Sequence, residues 1–280
     1  MTPIAATIAE VREAVATARQ QSLRIGCVPT MGALHDGHAS LIRRAKAISD
    51  FVVVTLFVNP TQFGPNEDYT RYPRTLDADR SLCAHAGANV VFVPSVGEIY
   101  PDNAVTFVDV ALLGEHLCGP SRPGHFRGVC TVVLKLLNIV LPDVAVFGAK
   151  DGQQARIIRT MVRDLNVPTV IDIAPTVRDA DGLAMSSRNR YLNETQRTVA
   201  PRIYQALLAV KERVANGETD IARLESALHA QLVAIPGSRV DYARIVSDDT
   251  LQPLTRLDRP ALVAVAVFLG TTRLIDNITI

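Results

Sequence analysis

In the N-terminal part of the chain, apolar positions come in short unbroken runs: "LRIGCV" (23–28), "FVVVTLFV" (51–58), "NVVFV" (89–93), "VAVFG" (144–148) and "TVIDI" (169–173). Between them, near 38–49, 76–87, 126–140 and 152–165, the pattern is helical. A strand with one wet face alternates apolar and polar residues, whereas a strand covered on both faces does not. The pattern therefore predicts a parallel sheet between two layers of helices, a Rossmann-like, doubly wound α/β domain over 1–185. Beyond it the order changes. Two helical stretches, "ETQRTVAPRIYQALLAVKERVANG" and "TDIARLESALHAQLVAI", precede three strands near 240–246, 262–268 and 273–279, joined by links too short for crossover helices. Asn193 with Gln196 three residues later can cap the first helix, and Asn216-Gly217 ends it. A smaller α+β C-terminal domain with an antiparallel sheet, 186–280, is predicted.

Composition narrows the classes of function. In 280 residues, 29 basic and 28 acidic side chains leave a formal net charge of +1. That gives no broad field for nucleic acid or an anionic membrane, so an anionic ligand must be met locally. The longest apolar run, "ALVAVAVFLG" at 261–270, is too short to span a bilayer. Cys27, Cys83, Cys118 and Cys130 form no CxxC pair and no zinc spacing, which fits a reduced, cytoplasmic compartment. The N-terminal stretch lacks the basic and apolar regions of a signal peptide.

The chemistry concentrates in "VPTMGALHDGHASLIRRA", 28–45. A strand ends in Pro29-Thr30-Met31-Gly32, His35 and His38 follow three apart around Gly37, and a helix begins. Binding crevices of open α/β sheets form at such strand ends, and a helix N-terminus offers N–H groups and about half a positive charge to phosphate. Imidazoles there can donate to phosphate oxygens and stabilise charge that grows as a pentacoordinate phosphorus forms. A zinc site of the HExxH kind needs a spacing of four, and neither GxGxxG nor GxxxxGK[ST] follows any strand. Histidines serving as loop residues or caps remain the alternative. In "FGAKDGQQ", Lys150 follows a strand end and can meet phosphate oxygens, while Asp151 can cap the next helix or accept from ribose hydroxyls. Ser186, Ser187 and Arg188 in "AMSSR" suit an anion clamp. Gln62 and Gln154, each just beyond a strand, offer neutral donors and acceptors to a hydroxy-carboxylate, which stays more nucleophilic than in an ion pair. His125, with Arg122 and Arg127 in "RPGHFRG", either lines the anionic site or shapes a loop.

The HxGH turn marks the nucleotidyltransferase superfamily related to class I aminoacyl-tRNA synthetases, and the longer "PTMGALHDGH" resembles the pantothenate synthetase family. "FVNPTQFGPNEDYTRYPRT", "LCGPSRPGHFRGVCTVVLKL", "FGAKDGQQ" and "DGLAMSSRNRYL" resemble it in order, so the likeness covers essentially the whole chain. The resemblance implies an ATP-dependent ligase: the pantoate carboxylate attacks the α-phosphorus of ATP, giving pantoyl adenylate and pyrophosphate. The β-alanine amine then attacks the acyl carbon and AMP leaves. It implies Mg²⁺ with the triphosphate, a homodimer, and neither a nucleic-acid nor a membrane partner. Catalytic roles fall to His35, His38, Lys150 and Arg188. Nucleotide contacts fall to Pro29, Thr30, Met31, Gly32, Gly37, Gly148, Asp151, Val177, Met185, Ser186 and Ser187. Gln62 and Gln154 would hold pantoate, with Asn59 and Tyr72 as secondary candidates, and Asp79 would either help with Mg²⁺ or serve as an acidic helix start. The chain departs from the family at Ala149, where Glu is usual, at Gly152, where an aromatic is usual, and at Ala78 inside an acidic cluster. Three rivals compete. An adenylyltransferase acting on a phosphate acceptor would need further cations. A tRNA synthetase would need a better RNA-binding region than the mixed-charge C-terminus. A non-catalytic nucleotide binder would have no use for His35, His38, Lys150 and Arg188 together.

Overall fold

The computed structural model describes residues 2–65 and 67–280, which pack into two compact units. The first comprises Met1–Val110, Arg122–Gly148 and Ile157–Ala174. Its elements run β1 (Ile4–Ala5), α1 (Ile8–Gln20), β2 (Ile25–Thr30), α2 (Asp36–Ile48), β3 (Phe51–Leu56), α3 (Leu76–Ala86), β4 (Val90–Phe92), α4 (Val96–Ile99), α5 (His125–Val140), β5 (Val144–Gly148), the part of α6 (Gly152–Asp164) from Ile157 onward, and β6 (Val170–Ala174). The six strands form one parallel sheet ordered β1-β4-β3-β2-β5-β6, as the unbroken apolar runs predict. Val52, Val53, Val54 and Val91 are wholly buried. On α2, Ala39, Ile42 and Ala45 recur every three residues and pack on Val28, Val52 and Val54. The order reverses between β2, which pairs with β3, and β5 on its other side. The carboxyl ends of β2 and β5 are therefore the topological switch point, where such sheets bind ligands.

β1 and α1 lie in an N-terminal stretch outside the predicted strands and helices. The helical signal is present: Val11, Val15 and Ala18 are buried at helical spacing, and Thr7 and Glu10 form a capping box.

The second unit comprises Ala111–Ser121, Ala149–Arg156 and Pro175–Ile280. It contains α7 (Glu194–Val199), α8 (Arg202–Ala215), α9 (Ile221–Val233), β7 (Ser238–Ser247), β8 (Ala261–Leu269) and β9 (Thr272–Thr279). The strands form an antiparallel sheet, β7-β8-β9. Leu207, Leu224, Leu228 and Leu232 from the helices meet Ile245, Val263, Val265 and Val267 in one core. The expected single helix starting at Glu194 is two helices, because Pro201, the N-cap of α8, can neither donate to the preceding turn nor clear its carbonyl. Asn193 and Gln196 form the expected capping box, with 2.9 and 3.1 Å bonds. Among the described residues, no helix is long and apolar enough to cross a membrane.

Candidate active site

In the first unit, β2 delivers the chain to the switch point and Thr30 fixes its end, donating to Thr55 O at 2.7 Å and accepting from Gly32 N–H at 3.3 Å. The turn that follows is left-handed at two successive residues, Gly32 (φ +88°) and Ala33 (φ +51°). For Ala33 that conformation costs on the order of 1 kcal/mol. Asp79, buried on the first turn of α3, holds it there: the carboxylate accepts from Ala33 N–H at 3.0 Å, Leu34 N–H at 2.8 Å and Thr75 Oγ1 at 3.1 Å.

The turn places His35 as the N-cap of α2. Its Nδ1 accepts from Gly37 N–H at 3.1 Å, and His38 Nδ1 accepts from His35 N–H at 3.3 Å. Each neutral imidazole must then carry its proton on Nε2. The rings stand 4.2 Å apart between centroids, tilted by 52°. Two Nε2–H donors and the positive end of α2 thus share one place, an arrangement for phosphate oxygens.

Gln62 closes a short 3₁₀ turn, Pro60–Gln62, after β3. Its Oε1 accepts from Asn59 Nδ2 at 3.1 Å, which fixes the amide so that Nε2 points to Met31 Sδ at 3.1 Å. Asn59, 1% exposed, also donates to Gly128 O and accepts from Thr61 N–H, Thr61 Oγ1 and Tyr100 Oη. Both amide hydrogens and the carbonyl oxygen of Asn59 are thus fully engaged. Asn59 thus holds the Gln62 amide in place. Burial pushes the Tyr100 phenol up, against the lowering effect of its hydrogen bond with Thr61. Tyr72 is buried with its ring edge-on to Phe63.

The turn before α5 ties His125 to two neighbouring segments. Arg122 pairs with Glu67 through two 2.6 Å bonds and donates to His125 Nε2 at 2.9 Å. An arginine can only donate, so His125 Nδ1 carries the proton that bonds Gln62 O at 2.8 Å. The turn thus grips the main chain of Gln62. Nothing in the sequence marks Glu67 or Tyr100 as members of this network, because their partners lie 55 and 41 residues away.

Gly148 is the last residue of β5. In the second unit, Lys150 lies in a 3₁₀ turn, its ammonium 3.7 Å from Asp151 Oδ1. Gln154 is half-buried in the first turns of α6. Its neighbour Gln153 is structural, bonded to Cys118 N–H, Leu113 O and His116 O. Val177 and Met185 face each other across a small hairpin, Met185 N–H donating to Val177 O at 3.0 Å. Ser186 caps the next turn by accepting from Arg188 N–H at 3.2 Å, and Ser187 O takes Arg190 Nε at 2.9 Å.

Among the described residues, no group of three or more His, Cys, Asp or Glu side chains could hold a metal ion. Asp79 directs its oxygens at the Gly32–Leu34 turn. Its carboxylate is thus engaged by the backbone N–H groups of that turn.

Comparison with known proteins follows the same lines. A family model described as pantoate-beta-alanine ligase matches residues 3–279. The pantothenate synthetase of Moorella thermoacetica is 54% identical over 274 residues, 98% of this chain and 97% of that one. That of Thermotoga neapolitana is 51% identical over 271 residues, 97% of each. Among solved structures, pantothenate synthetase from Thermus thermophilus is similar with a TM-score of 0.93 at 45% identity, over 99% of both chains. The pantoate-beta-alanine ligase from Francisella tularensis, in complex with beta-gamma ATP and beta-alanine, is similar with a TM-score of 0.79 at 36% identity, over 99% of this chain and 97% of that one.

Proposed function

Since this chain belongs to the pantoate–β-alanine ligase family, and is thus an ATP-dependent carbon–nitrogen ligase, we propose that it makes pantoyl adenylate at the HxGH turn and passes the acyl group to β-alanine. The observation that carries the site assignment is the pair of imidazoles whose Nδ1 atoms are engaged by backbone N–H groups at the switch point.

In this reading a pantoate carboxylate oxygen attacks the α-phosphorus of ATP and the bond to pyrophosphate breaks. Negative charge moves onto the phosphate oxygens, where His35 and His38 Nε2–H and the α2 N-terminus stabilise it more strongly than in the ground state. Lys150 and Arg188 neutralise the departing pyrophosphate, and Asp151 takes the ribose hydroxyls. Nucleotide contacts fall to Val177, Met185, Ser186 and Ser187, and to the Pro29–Gly32 turn and Gly148. Gln62 Nε2 donates to pantoate beside Met31, with Gln154 as its second amide and Tyr72 walling the pocket. In the second step the amine of β-alanine forms the new C–N bond, the acyl–oxygen bond breaks and AMP leaves. Mg²⁺ enters as part of the nucleotide substrate, held by phosphate oxygens and water. The four buried free cysteines support a cytoplasmic location, and a homodimer is the assembly implied by the resemblance.

The test is single-turnover pyrophosphate release from ATP and Mg²⁺. Release that requires pantoate, and becomes sustained only when β-alanine is added, is expected. Release that ignores pantoate, or that follows a phosphate-bearing acceptor instead, contradicts the assignment.

A further inference from the structure

β9 contains a dipeptide that grips two segments assigned to the nucleotide. Asn277 uses both hydrogens of its amide outside the sheet: Nδ2 donates to Ala149 O at 3.0 Å and to Lys150 O at 2.8 Å. Asp276, 4% exposed, accepts both ends of the Arg178 guanidinium, at 2.6 and 2.9 Å, and takes Asn277 N–H at 2.8 Å. Arg178 stands next to Val177, donates to Gly182 O at 3.1 Å, and lies 3.5 Å over the Tyr204 ring. Its bridge to Ala184 closes the hairpin that ends in Met185. All of these contacts lie within the second unit.

Gly152 belongs to the same device. A Cβ there would sit 2.8, 2.9 and 3.0 Å from the Oδ1, Cγ and Nδ2 of Asn277, closer than a side chain tolerates. The lack of a side chain at Gly152 leaves the Asn277 amide room to reach the two carbonyls. Lysine is a long and flexible side chain, and the reach of its ammonium depends on where its backbone is held.

We propose that Asp276 and Asn277 are positioning residues for adenylate formation, fixing the Lys150 turn and the Val177–Met185 hairpin to one strand. The proposal rests on the reading of Lys150 as a phosphate ligand. Asn277→Asp keeps size and removes both donors, setting a carboxylate against two carbonyls, and Asn277→Ala removes the group altogether. For both variants, single-turnover, pantoate-dependent pyrophosphate release should fall roughly 10- to 100-fold, with a smaller change in KM for ATP. Conversion of supplied pantoyl adenylate and β-alanine to AMP should stay within about 2-fold, because it needs no pyrophosphate to leave. Gly152→Ala should reproduce the loss, and the Gly152→Ala/Asn277→Ala double variant should be no slower than the slower single, since both displace one contact. Wild-type adenylation in both Asn277 variants overturns the proposal. So does an equal fall in both half-reactions that tracks a loss of folded protein. If wild-type protein itself shows no pantoate-dependent release, the underlying functional reading fails instead.

Discussion

In the proposed mechanism His38, whose Nδ1 accepts from the His35 backbone N–H, donates to the phosphate through Nε2. His38→Ala is therefore expected to slow pyrophosphate release by about 10²-fold or more, as loss of a transition-state donor does, with a smaller effect on KM for ATP. A variant that folds and turns over at the wild-type rate would remove His38 from the mechanism. The two histidines are legible in the sequence because strand, turn and helix cap are contiguous there. Asp79 is not. The acidic stretch suggests a helix start or a Mg²⁺ ligand, but the carboxylate crosses 46 residues of sequence to hold the left-handed Ala33, and neither turn geometry nor its partner is encoded locally.

The segment after β3 and the start of α5 illustrate the same limit between elements. Gln62 stands out in the sequence as an amide beyond a strand. What fixes it is the chain Glu67, Arg122, His125 and Gln62 O, assembled from residues up to 63 apart. Burial pushes the Glu67 carboxyl up, but the hydrogen bonds and charge of Arg122 outweigh it and hold the carboxyl below its ordinary value. A carboxyl with a lower pKa in the folded protein stabilises the fold above its unfolded value, ordinarily near 4.5. That contribution is lost as the pH falls through the folded value. Glu67→Gln should then lower Tm by about 2–4 °C at pH 7, corresponding to ~1 kcal/mol, and the difference from wild type should narrow progressively as the pH falls below 4.5. Calorimetry over a pH series measures this, and a difference that does not narrow at all with falling pH would mean that the ion pair is not its source. The strands were the more legible elements, since an unbroken apolar run such as "FVVVTLF" admits few alternatives. The split at Pro201 was written in the sequence as well, but a helical period on both sides of the proline masks it.

The molecule as a whole divides its chain unevenly. Ala111–Ser121 and Ala149–Arg156 pack with the C-terminal elements, drawn there by side chains of long sequence reach: Gln153 to Cys118 and Leu113, Arg156 to Asp248, and Asn277 to Lys150. The order of α/β elements followed by α+β elements is visible in the hydrophobic pattern. The membership of these two insertions is not, because it is decided by polar bonds that periodicity does not carry. The likeness to pantothenate synthetases spans both units, at 98% of the chain, so the central claim concerns the whole molecule: the pantoate carboxylate, not another nucleophile, attacks the α-phosphorus. The most direct test is turnover with pantoate carrying ¹⁸O in both carboxylate positions, together with ATP, Mg²⁺ and β-alanine, followed by mass spectrometry of the products. Attack through an adenylate places one ¹⁸O in AMP and leaves one in the new amide. Unlabelled AMP, or label in pyrophosphate or inorganic phosphate, would contradict the account.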